Sequence, residues 1–339
     1  MKIKLIILKT EVGADQQIEK ACIDLGVDYD FVDLKNSNWI SEIKSLKCDG
    51  IIHRPYASNQ YLKDLSNDRM YFIKKHLNIP IYPSFDETYI YENKNNMAYW
   101  LQTYNVPHAQ TSIFYDKDEA INFLKSTSLP IVFKTKIGSS GSGVKYIKTV
   151  RQGKKIISKL FPRLKFFSRG YTRRAKIVRF KPFYFYLPII NDKQYGHILF
   201  QKKLDVKFEW RVIKIGDSYF GHQKLEGKNK KHSGSSLVGW IKPPEELLNF
   251  VKGVCDIGNF NSMDVDVFET SDGKYYVNEL QTIFGSYNPS QMYIDGVPGR
   301  YKFVEDKWVF EEGYFNKNGS MNLRVEHFIN ILKEKQNER

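Results

Sequence analysis

Three oxygen-bearing side chains, Asp266, Glu279 and Gln281, stand on two consecutive β-like runs, Val265–Phe268 and Tyr275–Leu280, joined through the turn Ser271-Asp272-Gly273. Alternate residues of a strand point the same way, so positions 279 and 281 share a face with Asp266 one hairpin away. Carboxylate and amide oxygens of this kind suit one or two Mg2+ ions bridging phosphate oxygens. Two lysines from separate segments, Lys94 and Lys134, are point charges fit to neutralise phosphates. Lys134 ends the strand Leu129–Lys134 and is followed by Gly138-Ser139-Ser140-Gly141-Ser142-Gly143 and by another strand, Val144–Lys148. Such a loop can offer backbone N–H groups to a phosphate and close over it. Lying between two strands, it is a flap; it lacks the Gly-Lys-Ser/Thr ending of a P-loop. A hinge-like segment, Leu199–Leu204, precedes Glu209-Trp210-Arg211, which opens a further strand. Lysines, flap and carboxylates together point to a metal-bound polyphosphate.

The elements that must hold these groups follow from the apolar pattern. Residues 1–80 alternate strands (Ile3–Leu8, Val27–Val32, Cys48–His53, Ile79–Tyr82) with helical stretches (Gln16–Leu25, Trp39–Leu46, Tyr71–Leu77), which predicts a small parallel-sheet unit. Pro83-Ser84 opens a second region, where the spacing of Met97, Leu101 and Tyr104 predicts one helix over Glu87–Tyr104. A strand-rich part begins at His197, interrupted by a helix over Glu245–Ile257, and a C-terminal helix spans Asn322–Glu334.

Composition bounds the rest. The 339 residues are 42% hydrophobic, enough for a real core, which excludes intrinsic disorder. No apolar run reaches the ~18 residues a spanning helix needs. The first nine residues are too short and too charged for a signal peptide. Cys22, Cys48 and Cys255 show neither a disulfide framework nor metal spacing, so the expected location is a reducing cytoplasm. The net charge is +14, and it is localised: residues 120–191 hold 17 Lys and Arg and no Asp or Glu, so the remainder is slightly acidic. A domain-sized basic segment implies an anionic partner. No nucleic-acid module accompanies it, so specific nucleic-acid binding is not expected.

The order and spacing of these motifs resemble the ATP-grasp superfamily of carboxylate–amine ligases, in particular the ribosomal-protein glutamate ligases and the D-alanine–D-alanine ligases. The resemblance covers residues 80–290, with 1–80 similar to the family's small N-terminal domain. It rests on Asn93-Lys94, on Pro130–Lys134 with Thr135 in place of a proline, and on the flap Gly138–Gly143. It rests further on Gln201-Lys202-Lys203-Leu204, on Glu209-Trp210-Arg211 through Gly216, and on Asp266, Gly273, Glu279 and Gln281 leading to Gly285. Gln281 stands where the family has Asn, and Lys224 where it has an arginine, a change that loses the bidentate fork.

The resemblance implies an α/β protein, α+β in its C-terminal part, with the ATP-grasp fold: an N-terminal domain over 1–82 and two ATP-grasp subdomains over 83–200 and 201–339. It implies ATP and Mg2+ as cofactors. Lys94, Lys134, the flap (Gly138, Ser139, Ser140, Gly141, Ser142, Gly143), the hinge (Gln201, Lys202, Leu204) and Glu209 would bind ATP. Asp266, Glu279 and Gln281 would hold metal, and Arg211 with Lys224 would stabilise the reacting groups. The implied reaction joins a carboxylate to an amine through an acyl phosphate and forms ADP. The alternatives are a kinase acting on a hydroxyl and a non-catalytic nucleotide binder.

The expected partners are a small-molecule amine and an anionic carboxylate acceptor, such as an acidic surface glycan or a lipid-linked intermediate. Peripheral contact with the inner membrane surface and a homo-oligomer are also expected. Arg54, Arg173, Arg174 and Lys231 are weaker substrate candidates, and residues beyond 290 have no assigned role.

Overall fold

The computed structural model describes residues 2–10, 13–56, 58–138, 143–162, 170–180, 183–225, 237–283 and 292–338; for Ala14, 172–180 and 183–192 it describes the backbone alone. The first unit runs β1 (Lys4–Leu8), α1 (Ala14–Asp24), β2 (Asp28–Val32), α2 (Trp39–Leu46), β3 (Gly50–Ile52), α3 (Gln60–Phe72) and β4 (Ile81–Tyr82), with a π-helical turn over Ile73–Leu77 before β4. Its sheet is parallel, in the order β2-β1-β3-β4. Leu5, Ile6, Ile7, Ile51 and Ile52 are fully buried, as the continuous apolar runs require of a sheet covered on both faces.

The predicted helix over 87–104 is two helices, α4 (Phe85–Ile90) and α5 (Lys94–Thr103). Glu92 between them has φ of 49°, and Asn93 caps α5 by accepting from the backbone N–H of Asn96. The apolar period runs across the break because both helices pack on one core; the break itself is written in local side-chain chemistry. The helix predicted from Tyr71 begins earlier, at Gln60, capped by Asn59.

A second sheet follows, from β5 (Thr111–Phe114), α6 (Lys117–Ser126), β6 (Ile131–Lys134), β7 (Val144–Ile147), α7 (Val150–Leu160), β8 (Tyr171–Phe180), β9 (Phe183–Gln194) and β10 (Ile198–Lys202). The order β5-β10-β6-β7 is antiparallel and packs α6 and α7 through Phe133, Phe200, Leu124, Ile157 and Leu160. The basic segment thus contains α7 and a two-stranded antiparallel hairpin, β8–β9, lying between α7 and β10.

The third sheet is built from β11 (Val206–Ile215), β12 (Ser218–Lys224), β13 (Val238–Gly239), α8 (Glu245–Ile257), β14 (Ser262–Thr270), β15 (Tyr275–Gln281), β16 (Met292–Ile294), β17 (Val297–Val304) and β18 (Lys307–Glu312), with α9 (Met321–Asn337) closing the chain. Its central order is β15-β14-β11-β12-β17-β16. Residues 292–312, to which the sequence assigned no role, extend this sheet by β16, β17 and β18.

Helix α9 returns to the first unit, where Met321, Val325, Phe328 and Leu332 share a core with Ile3, Leu5, Ile18 and Tyr82. It also fixes the start of β14. Arg324 Nε donates to Ser262 Oγ (3.0 Å), while Glu87 of α4 accepts the Ser262 N–H (2.7 Å). Among the described residues no helix is long and apolar enough to cross a membrane.

Gly50 marks the closest approach of α9 to the sheet, since a Cβ there would lie 2.5 Å from the Phe328 ring. Gly50→Ala is therefore expected to destabilise the protein by about 1–3 kcal/mol, read as a lowered midpoint in urea unfolding; Gly26→Ala is no control, because its φ is positive, but Gly253→Ala in α8, with open space at its Cβ, should leave the midpoint unchanged or raised.

Candidate active site

The charged residues meet where the second and third sheets face one another. Lys94 is the first residue of α5 and Lys134 the last of β6; both are buried. Lys94 donates its Nζ to the Gly138 carbonyl (2.5 Å) and lies 3.4 Å from Glu279 Oε1, while its backbone N–H donates to the Lys136 carbonyl (2.8 Å). Gly138 has φ of 148°, a conformation that only glycine adopts readily. At the far root of the flap a Cβ on Gly143 would sit 1.8 Å from Thr135 Oγ1. Ser139, Ser140, Gly141 and Ser142 lie outside the described residues.

On the third sheet one register row crosses four strands: His222 on β12, Arg211 on β11, Asp266 on β14 and Glu279 on β15. Arg211 grips Asp266 with two parallel bonds, Nε to Oδ1 (2.9 Å) and Nη2 to Oδ2 (3.0 Å). Lys224 donates to Asp266 Oδ2 (2.7 Å) and to Glu209, its register partner on β11. Two residues along β14, Asp264 Oδ2 lies 3.0 Å from Arg211 Nε, opposite Gln281 on β15.

A bulge between Asp266 and Val267 adds Asn278 to β15, and its side chain joins the two sheets. Lys134 Nζ donates to Asn278 Oδ1 (3.2 Å), and Asn278 Nδ2 donates to Glu209 Oε1 (3.4 Å). A continuous polar chain therefore runs Lys134, Asn278, Glu209, Lys224, Asp266, Arg211, Asp264. Four basic side chains (Lys94, Lys134, Arg211, Lys224) meet four acidic ones (Glu209, Asp264, Asp266, Glu279) here.

Burial and pairing act in opposite directions on these groups. Burial alone would raise the Asp266 carboxyl, but Arg211 and Lys224 overcome it and hold it at about 2. Asp264 is pushed well above the usual carboxylate range by burial, with the like charge of Asp266 adding to it. Burial and then the charge of Lys94 bring Lys134 down to about 8. His222 is drawn to about 3 by burial and by Arg211, so its ring is neutral, and it meets Trp240 edge-on at 5.4 Å between centroids.

The hinge leaves the second sheet at β10. Gln201 is central, donating Nε2 to Thr111 Oγ1 (3.0 Å), and Lys202 donates its backbone N–H to the Gln110 carbonyl (2.8 Å). Beyond it Lys203 is exposed and Leu204 half-buried on the way to β11.

Of the sequence candidates, the structure brings together Lys94, Lys134, Gly138, Glu209, Arg211, Lys224, Asp266 and Glu279 through the contacts above, and sets Gln281 beside them by register. Arg54 stands at the end of β3, in contact with Tyr91. Arg173 and Arg174 lie on β8, where only the backbone is described, and Lys231 lies outside the described residues. Sequence reasoning missed Asp264, Asn278 and His222. Asp264 alternates with Asp266, a signal that a strand boundary drawn one residue earlier would have caught, and His222 alternates with Lys224 on β12. Asn278 is visible only once the bulge is known.

Asp266, Glu279, Gln281 and Asp264 are hard oxygen donors suited to a divalent cation, and both oxygens of buried Asp264 lack a hydrogen bond. Among the described residues no three His, Cys, Asp or Glu side chains form a cage by themselves.

No model of a protein family matches the chain, and no curated protein sequence does. Solved structures do share its architecture. A D-alanine–D-alanine ligase from Bacillus anthracis complexed with ATP is similar over 99% of this chain and 99% of that one, with a TM-score of 0.59 at 12% identity. An ATP-grasp RimK-domain protein from Sphaerobacter thermophilus is similar over 82% of this chain and 90% of its own, with a TM-score of 0.52 at 11% identity. An N5-carboxyaminoimidazole ribonucleotide synthetase from Thermotoga maritima is similar over 83% of this chain and 68% of its own, with a TM-score of 0.52 at 12% identity. The chain has the ATP-grasp fold, as its motif order implied.

Lys134 gives the site a proton signature. Its ammonium is charged below about pH 8 in the free protein, and a bound polyphosphate will raise its pKa. Above pH 8 nucleotide binding must therefore take up a proton, and affinity should fall as pH rises. Calorimetry at pH 9 in buffers of differing ionisation enthalpy is expected to show uptake of up to one proton, absent at pH 6.5 and absent in Lys134→Met.

Proposed function

We propose that this chain is an ATP-dependent carboxylate–amine ligase that forms ADP and an amide through an acyl phosphate. The observation that carries the reading is the polar chain between the two sheets, which starts at Lys134 and passes through Lys224 to Arg211, with Lys94 beside it on Glu279. In the free protein Lys94, Arg211 and Lys224 pair with carboxylates of the chain itself and Lys134 with Asn278. A triphosphate entering between the sheets would exchange those partners for phosphate oxygens, at small net cost, because the cations are already positioned.

Lys94 and Lys134 would hold the α- and β-phosphates, and the backbone of the hinge at Gln201, Lys202 and Leu204 would meet the adenine. Asp266, Glu279 and Gln281, with Asp264 behind them, would hold Mg2+, which supplies charge neutralisation at the β- and γ-phosphates. A substrate carboxylate oxygen attacks the γ-phosphorus and ADP leaves. The amine then attacks the acyl carbon, phosphate leaves with the bonding pair, and the amine loses a proton. Arg211 and Lys224 would meet the negative charge that develops in both steps. No side-chain nucleophile is required; burial pushes the thiols of Cys22, Cys48 and Cys255 up, to about 12, 11 and 12.

The acid-free segment that now includes α7 and the β8–β9 hairpin supports an anionic acceptor, an acidic glycan among the candidates. The three segments 1–82, 83–200 and 201–339 would act as jaws about the nucleotide, with α9 tying the last to the first. ADP release measured against pools of carboxylates and amines should require one of each. Asp266→Asn is expected to lower turnover about 100-fold or more while ADP binding persists. AMP and pyrophosphate as products, or phosphate found on a hydroxyl, would replace this reading with an adenylating or a kinase one. Undiminished turnover in Asp266→Asn would remove Asp266 from the chemistry.

A further inference from the structure

The outer face of α3 carries large rings that nothing in the chain covers. Tyr71 and Phe72 at its end, and Tyr89 on α4, are 46, 48 and 45% exposed. His76 of the π-helical turn and Phe85 of α4 join them in one cluster. Centroids lie 5.1 Å apart from Phe72 to His76, 6.2 Å from Tyr71 to Phe85 and 5.5 Å from Phe85 to Tyr89. At roughly 200 Å2 per ring side chain, the three exposed residues offer about 300 Å2 of aromatic surface to water. A contiguous patch of that size marks an interaction site on many soluble proteins.

The charges beside the rings lie along the same stripe. Asp68 stands one turn before Tyr71 and Phe72, and Lys75 one turn after them, on the spacing of a single helix face. The contact of Phe72 with His76 carries that face on through the π-helical turn. Asp68 and Lys75 are both exposed, and among the described residues neither has a hydrogen bond or an ion pair. Their neighbours are committed. Lys74 pairs with Asp86 (2.7 Å) and lies over the Phe85 ring, while Arg69 donates to the Asn36 carbonyl (2.8 Å) and lies over Trp39. Asp64 accepts from Gln60 Nε2 (2.6 Å).

A stripe that reads acid, rings, base is complementary to its own reverse. A two-fold axis between Tyr71 and Phe72 lays a second α3 antiparallel on the first, so that one operation makes every contact twice. Positions 68 and 75 are equidistant from that axis along the chain, so Asp68 of each copy meets Lys75 of the other without a shift of register. An aromatic centre with a polar rim is the make-up of a subunit interface. The centre supplies over a third of the ~800 Å2 each partner buries in a standard one, leaving the flanks of α3 and α4 to supply the rest. An anionic lipid surface would ask for surplus positive charge, whereas Asp64, Asp68 and Asp86 here match Arg69, Lys74 and Lys75.

We propose that this face joins two copies of the chain in a two-fold symmetric homodimer, with the Tyr71–Phe72 rings stacked at the axis and Asp68 of each copy paired with Lys75 of the other. The charge cluster between the second and third sheets is built within each copy, so the inference stands apart from the ligase reading.

Sedimentation equilibrium of the full chain at micromolar concentrations is expected to give the mass of two chains. Phe72→Asp, which sets a charge at the centre, should weaken association about 100-fold and leave the urea midpoint unchanged. Asp68→Lys and Lys75→Asp should each weaken it about tenfold, because each brings like charges together at both symmetric contacts. Combining Asp68→Lys with Lys75→Asp should restore the original affinity, a recovery that misfolding cannot produce. A monomer at these concentrations would overturn the proposal, and so would a dimer indifferent to Phe72→Asp. Failure of the combined variant to recover would overturn the antiparallel register. A chain that stays monomeric but sediments with phosphatidylglycerol vesicles, and loses them in Phe72→Asp, would overturn the dimer and give the face to a lipid surface.

Discussion

The sharing of one guanidinium, Arg211, between Asp264 and Asp266 is the constraint on which the rest of the structure depends. Two carboxylates on one face of a strand repel, and both are wholly buried. Desolvating ions costs several kcal/mol each unless partners and geometry compensate. Here compensation needs β12, β11 and β14 in a single register, because a one-residue slip would send Arg211 to the opposite face of the sheet and leave the acids unpaired. Lys224 completes the balance by reaching both Asp266 and Glu209. The bulge at Asn278 then carries the network off the sheet to Lys134.

That register is enforced from outside the sheet. Ser262, two residues before Asp264, is held by Glu87 through its N–H and by Arg324 and the Thr282 carbonyl through its hydroxyl. Glu87 belongs to the capping box of α4, and Arg324 to α9, which is anchored in the N-terminal core. The start of β14 is thus clamped by two helices whose cores lie elsewhere. Lys94 is placed by the Asn93 cap and Lys134 by the end of a buried strand, so each of these two lysines stands at the terminus of an element.

The sequence carries this design unevenly. The parallel unit and the strands β6, β7 and β10 were legible because alternation and apolar runs have direct conformational meaning. Asp266, Glu279 and Gln281 were legible as alternating residues across a Gly turn. Asp264 was not, because a strand boundary drawn at Val265 hid its alternation. Asn278 was not, because bulges leave no periodic trace. The break at Glu92 escaped because the apolar period spans it. Strands β8 and β9 and those beyond residue 290 escaped because basic and aromatic residues crowd them without clean period-two patterning, so long-range pairing decided their state.

Electrostatics divides the molecule accordingly. In the buried cluster basic and acidic side chains are paired with one another, with the Asp264 carboxyl pushed up by burial. The surplus of the chain sits in the acid-free stretch, around α7 and in a hairpin that forms a two-stranded sheet of its own. A paired cluster and a basic annex can vary independently, because β8 and β9 take no part in the register that holds Asp264, Arg211 and Asp266. Charges of the annex, near the solvent, are screened by salt over a Debye length of about 8 Å, whereas those of the buried row are screened far less. Ionic strength should act on the two separately, and that separation is what the single net charge of +14 conceals.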